Sequence, residues 1–259
     1  MGAGLGWLRG TVMAVSSMAG PEQQLLWVSR GRRRSPPSTN KSQAWVWEPA
    51  VLLPPAWRND STGGDNAMRC LEASDGTVYF ITEDDDAKPP AESEAQAIIY
   101  ASTDKGRSFA PRGSLGMWTS ESDVLERQSQ PGHLVGVTRL QTKNSSDSPA
   151  NNSPMGQAIG PRYQATALVT SYDAGRTWSA MSLLTAEAQQ TAAIVELGDG
   201  TLICVFSHKD YALNPKTATM ESYGQRFIVS YDGGSTWSNR IFDLNHGGAS
   251  VPKASCALR

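Results

Sequence analysis

The eight residues SYDAGRTW (residues 171–178) decide the fold, because the chain writes the same turn three times. STDKGRSF (residues 102–109) and SYDGGSTW (residues 230–237) follow the same rule, S-x-D-x-G-x-[ST]-[WF], and the three aspartates lie 69 and 59 residues apart. Each position has a mechanical task. The leading serines (Ser102, Ser171, Ser230) and the later Ser/Thr hydroxyls offer local hydrogen bonds. The aspartates (Asp104, Asp173, Asp232) accept N–H bonds inside their own turn. Gly106, Gly175 and Gly234 permit the positive φ of a tight reversal, and the aromatics (Phe109, Trp178, Trp237) fold over the turn and pin it.

Working outward, each octet follows an alternating strand: AIIYAS, TALVTS and RFIVSY. Further upstream stands a hairpin of two apolar strands around a D-G or P-G turn. It reads MRCLEASDGTVYFITE, SDVLERQSQPGHLVGVTR and TAAIVELGDGTLICVF. The unit is strand A, tight turn, strand B, variable loop, strand C, aspartate turn, strand D. Four antiparallel strands at a period of roughly 50–65 residues predict an all-β propeller. A weaker earlier copy has GTVMAVSS as strand B, QQLLWVSR as strand C and AWVWEPAVLL as strand D, with no strand A before it. The blades are expected at about 11–57, 66–118, 121–184 and 189–245 of one domain, with an irregular tail at 246–259.

Composition agrees with this reading. The 259 residues are 39% hydrophobic and 19% charged, with a formal net charge of −2. That balance gives no global pull toward nucleic acid or anionic membrane, and no apolar run reaches the roughly 20 residues of a membrane helix. The three cysteines, Cys70, Cys204 and Cys256, lack metal-ligand spacing, and Cys204 in TLICVF reads as a buried thiol. No metal or cofactor is expected. EDDD (residues 83–86) lacks EF-hand spacing, and RGRRRS (residues 30–35) reads as an exposed loop in place of an octet. Sequons at Asn40, Asn59, Asn144 and Asn151 suit a secreted protein but also arise in Ser/Asn-rich loops, while the opening residues are too broken for a signal peptide.

The octet resembles the Asp box, or bacterial neuraminidase repeat. Three copies in register with A–B hairpins, over about residues 11–245, resemble the sialidase-like β-propeller superfamily. The resemblance implies a six-bladed parent, of which this chain would supply four blades. It also implies a glycan or glycoconjugate substrate and a glycoside hydrolase of exo-sialidase type. The family's R-I-P motif is replaced by AMRCLEASDG, and Tyr163 and Tyr223, in the B–C loops, are not assigned as its nucleophile. The rival class is a carbohydrate- or protein-binding propeller without catalysis.

Strand bookkeeping locates the site without the family. The A–B and aspartate turns share one end of the disc, while starts of A, ends of B and the long B–C loops share the other. The octets therefore face away from the chemistry. At the opposite end stand Arg69, Glu83 and Asp84 of the second blade, and Glu121, Asp123 and Arg139 of the third. The fourth contributes Gln190, His208 (with Lys209 beside it) and Arg226. Glu121 and Asp84 are the candidate catalytic carboxylates. The others are candidate substrate contacts, with Arg139 foremost because a guanidinium grips a carboxylate in two-pronged fashion.

Overall fold

The computed structural model describes residues 3–8, 11–19, 24–33, 45–49, 51–52, 70–84, 96–117, 119–141, 164–185, 189–210 and 222–246. They form four separate antiparallel sheets, each in the order A-B-C-D. The first holds β1 (Ala3–Leu8), β2 (Thr11–Ala19), β3 (Gln24–Arg33), β4 (Trp45–Trp47) and β5 (Val51–Leu52). Both β4 and β5 pair with β3, so they are one strand D in two pieces. The second holds β6 (Cys70–Glu72), β7 (Val78–Asp84), β8 (Gln96–Ser102) and β9 (Ala110–Met117). The third holds β10 (Thr119–Glu126), β11 (Leu134–Gln141), β12 (Gln164–Ser171) and β13 (Ser182–Leu183). The fourth holds β14 (Gln189–Glu196), β15 (Leu202–Asp210), β16 (Ser222–Ser230) and β17 (Phe242–His246).

The first blade corrects one expectation. Its strand A is present, because Ala3–Leu8 pairs in register with β2 from Leu8↔Thr11 to Ala3↔Ser16. The sequence AGLGWL hid it, since two glycines dilute the apolar alternation. Tyr223 likewise lies within β16 rather than in a loop. The tail from residue 247, most of the B–C loop residues and Tyr163 lie outside the described residues.

Sheets buried on both faces explain the near-continuous apolar runs. Tyr79, Ile81 and Ile99 of the second blade pack against Val124, Leu134 and Val169 of the third. On the other face of the third blade, Val135, Val137 and Leu168 meet Ile194, Leu202, Cys204 and Phe206 of the fourth. Alternate residues of β11 thus serve opposite neighbours, as a period of two requires. Both described thiols sit inside this packing, and burial pushes the Cys70 thiol up to about 12. Phe109 seals its octet edge-on against Phe80, with centroids 4.8 Å apart.

The octets are closed turns. In the third blade, Ser171 Oγ accepts from Gly175 N at 2.8 Å and donates to Asp173 Oδ1 at 2.8 Å. The same Asp173 carboxylate accepts from Arg176 N, Thr177 N and the Thr177 hydroxyl. These bonds hold Asp173 well below the usual carboxylate range, the Thr177 hydroxyl contributing most. Bonds from the hydroxyl and backbone of Thr236, then from Ser230, hold Asp232 down to about 2. For Asp104 burial pushes upward, and bonds from Ser108 and Ser102 outweigh it.

Hydrogen bonds between blades concentrate at this turn end. The residue after each octet aspartate is left-handed: φ is 62° at Lys105, 58° at Ala174 and 73° at Gly233. In the third and fourth blades its carbonyl accepts donors from the preceding blade. Tyr79 Oη (3.2 Å) and Arg112 Nε (3.1 Å) donate to Ala174, and Arg127 Nη1 (2.7 Å) donates to Gly233. A second staple repeats beside it. Glu126, which ends β10, accepts from Ser74 N of the second blade. Glu196, which ends β14, accepts from Gln128 N of the third at 2.7 Å and pairs with Arg127 Nε at 2.9 Å.

Two predictions follow from these contacts. Arg127→Met leaves the Glu196 carboxylate buried without its cation, and removing one partner of such a pair costs about 3 kcal/mol. A correspondingly lower urea midpoint is expected, and an unchanged midpoint would refute the staple. The octet aspartates bind a proton more weakly folded than unfolded. Their stabilisation is therefore complete above the unfolded value of about 3.9 and is lost as pH falls toward 2. Asp232→Asn should lower the urea midpoint at neutral pH and flatten this acid limb relative to the parent chain.

Candidate functional site

Register places the end of β11 far from the octets. Leu134 pairs with Ser171 at the turn end, and Arg139 pairs with Thr166 five residues further on. At about 3.3 Å per residue this separates Arg139 from its own octet by about 17 Å along the strand. The same rank in the neighbouring B strands is held by Glu83, which pairs with Ala97, and by Ser207, which pairs with Gln190. Asp84 is one residue further along β7, opposite Gln96, and His208 one residue further along β15, opposite Gln189.

Glu121 and Arg139 meet. Arg139 Nη1 donates to Glu121 Oε2 at 3.0 Å, and the two side chains are 14% and 10% exposed. A kink in β10 lies at the same place. Between Thr119↔Leu140 and Ser122↔Thr138 strand A carries one residue more than strand B, a β-bulge spanning Ser120 and Glu121. Bulges re-aim side chains, and this one is tied down. Ser122 Oγ donates to the Ser120 carbonyl at 2.6 Å and lies 2.7 Å from Thr138 Oγ1. Strand A of the fourth blade also bulges, between Gln190 and Ala193, one residue nearer the turn end. Two buried polar atoms next to the ion pair, Arg139 Nε and Ser120 Oγ, have no hydrogen-bond partner among the described residues.

Other candidates serve elsewhere. Asp123 is buried, and its carboxylate accepts from Val124 N and, across the blade junction, from Ile194 N at 3.0 Å. Arg226 lies on strand C, where its Nε donates to Asp243 of strand D at 2.8 Å. Glu83, Asp84, Gln190 and His208 all lie at the Arg139 end of their strands. Arg69 lies outside the described residues. Residues that bind the blades together (Arg112, Glu126, Arg127 and Glu196) were not singled out from sequence. One signal was available: a glutamate closes strand A in three successive hairpins, at Glu72, Glu126 and Glu196.

No family model matches the chain, and no curated protein is significantly similar to it. Solved structures are similar in fold. The Penicillium chrysogenum α-L-arabinanase complexed with arabinobiose aligns with a TM-score of 0.59 at 14% identity, covering 92% of this chain and 65% of that one. The Trypanosoma rangeli sialidase in complex with 2,3-difluoro-KDN aligns at 0.55 and 16%, covering 94% of this chain and 37% of that one. A Hadza microbial sialidase aligns at 0.55 and 18%, covering 95% and 45%. The chain thus spans somewhat under two thirds of the arabinanase and less than half of either sialidase. At this identity the likeness is one of fold, and four sheets in A-B-C-D order agree with it. The chain has the sialidase-like β-propeller fold, with about four of its four-stranded antiparallel blades.

Proposed function

We propose that this propeller is a glycoside hydrolase of exo-sialidase type, removing terminal sugars that carry a carboxylate. The octets are its Asp boxes, and the site is the end of the disc where strands A begin and strands B finish. One observation carries the reading: Arg139 is locked to Glu121 through Nη1, while its buried Nε has no partner among the described residues. A buried donor left unpaired costs on the order of 1–3 kcal/mol. An acceptor on a bound ligand relieves that cost, and a carboxylate is the acceptor a guanidinium matches best. Glu121 orients the guanidinium and acts as the carboxylate of the catalytic couple. Asp84 is assigned as the acid that protonates the leaving oxygen, in the general scheme of two carboxyl groups flanking the scissile bond. Glu83, Gln190 and His208 are assigned to the sugar hydroxyls.

A second reading is favoured by a different fact. Glu121 is engaged by Arg139 and Asp123 by backbone N–H groups, so both third-blade carboxylates already have work in the scaffold. On that reading the same rim recognises an acidic sugar without cleaving it.

Fluorogenic glycosides of sialic acid, glucuronic acid and arabinofuranose separate the two. The hydrolase reading expects turnover of the acidic glycosides. Arg139→Ala should raise KM roughly 10–100-fold, as befits loss of a charged hydrogen bond of about 1.5–3 kcal/mol. Asp84→Asn and Glu121→Gln should lower kcat by about 10²–10³-fold. Arg139-dependent binding on a glycan array without turnover supports the second reading, and neither turnover nor binding rejects both.

Stability distinguishes a ligand-binding pair from a scaffold pair. Arg139→Leu alone should destabilise the chain by about 3 kcal/mol, and adding Glu121→Leu should recover most of that loss, since apolar replacement of a buried pair is often close to neutral. A double variant as unstable as the single one would assign the pair to the scaffold.

A further inference from the structure

On the turn face, between the third and fourth blades, a cleft of about 320 Å³ opens. Its volume lies at the low end of the roughly 300–1,000 Å³ of small-molecule sites. One wall is the A–B turn of the third blade. That turn runs seven residues (127–133) between its paired strand ends, whereas the fourth blade's runs five (197–201), and the longer turn brings Gln128 and Ser129 to the cleft. The floor is rigid. Arg127 is bonded to Glu196 and to the Gly233 carbonyl, and Gln128 N donates to Glu196. Such a site is organised before any ligand arrives, which lowers the ordering cost of binding.

The cleft also carries Tyr231, 80% exposed. Its counterpart in the third blade, Tyr172, is 76% exposed and stacks on His133, with centroids 4.2 Å apart and planes 20° from parallel. The register equates Leu134↔Ser171 with Leu202↔Ser230, so the place of His133 is taken by Thr201 in the fourth blade. Tyr231 has no ring neighbour among the described residues. An open phenol ring with a hydroxyl tip suits a ligand that is apolar on one face and polar at its edge, which describes a sugar ring. The charge in the cleft selects among sugars. Glu196 neutralises Arg127, and Asp199 and Asp232 leave the lining negative, which opposes an anionic ligand.

We propose that this cleft is a second carbohydrate site, taking a neutral glycoside on the face opposite Arg139. It does not rest on the hydrolase reading. The test uses the whole chain and amide-shift NMR with the methyl glycosides of galactose, mannose and N-acetylglucosamine, and methyl glucuronide as the charged comparison. Expected are shifts at Gly198 and Gly200 with a neutral glycoside, with a dissociation constant on the order of millimolar. Tyr231→Ala should weaken binding at least tenfold, with an unchanged melting temperature because the side chain is exposed, while Tyr172→Ala leaves binding intact. The proposal is overturned if no neutral glycoside shifts these amides, if only the glucuronide does, or if Tyr231→Ala leaves the shifts unchanged.

Discussion

No backbone ladder joins one of the described sheets to the next, so besides side-chain packing the junctions rest on side-chain hydrogen bonds, and one kind recurs at the octets. That contact is the hydrogen bond into the left-handed carbonyl of the octet turn. The aspartate carboxylate occupies the N–H groups and hydroxyl that follow it, as at Asp173 with Arg176 N, Thr177 N and Thr177 Oγ1. The turn is then closed on itself, and its remaining outward group is the carbonyl of Ala174 or Gly233. A left-handed backbone costs a non-glycine residue about 1–2 kcal/mol. At Ala174 two donors from the neighbouring blade, Tyr79 and Arg112, offset that strain. Close approach is part of the same design. A side chain at Gly113 would place its Cβ 2.6 Å from the Gly175 carbonyl, so strand D of the second blade can lie against the octet of the third only as glycine.

Fixing one end of the disc this tightly frees the other. At the far end the strands can bulge without loosening the junctions, and β10 and β14 do so within one residue of the same rank. The junction there is lighter but present: Ala97 N donates to Thr119 Oγ1 at 2.8 Å, and Ile194 N to Asp123. Glu121 has the parity of Asp123, and Arg139 that of Val137, so the two side chains share the face that Asp123 and Val137 share.

The sequence carried the fold in plain view because its signals are local. Octet, D-G hairpin and alternating strands are each written within about twenty residues and then repeated. Strand A of the first blade was missed because AGLGWL pairs through backbone bonds that glycine makes as well as valine, while its alternation is weak. The site was only partly legible for a different reason. That Glu121 and Arg139 belong to one end of one hairpin follows from strand order, but their exact register passes through a bulge that no residue pattern announces. Asp123 read as a site residue because its type is polar. Its partner is the backbone of Ile194, 71 residues away, and backbone partners have no sequence signature. Arg226 likewise has a partner that strand order alone does not reveal, Asp243 on the next strand.

Comparing the blades with one another sharpens what Arg139 means. In strands B the second and fourth residues are apolar in each of three blades: Tyr79 and Ile81, Val135 and Val137, Ile203 and Val205. In the second and third blades these positions fill the space between sheets, and packing forces them to agree. Two residues further on the same face, the blades carry Glu83, Arg139 and Ser207: an acid, a base and a neutral hydroxyl. A scaffold that repeats its constraint should repeat its residue, so the divergence marks the rank at which the repeated apolar pattern of the B strands ends. The frame is uniform where the blades pack and varied in residue type at this rank, which is what the proposed site would require of it.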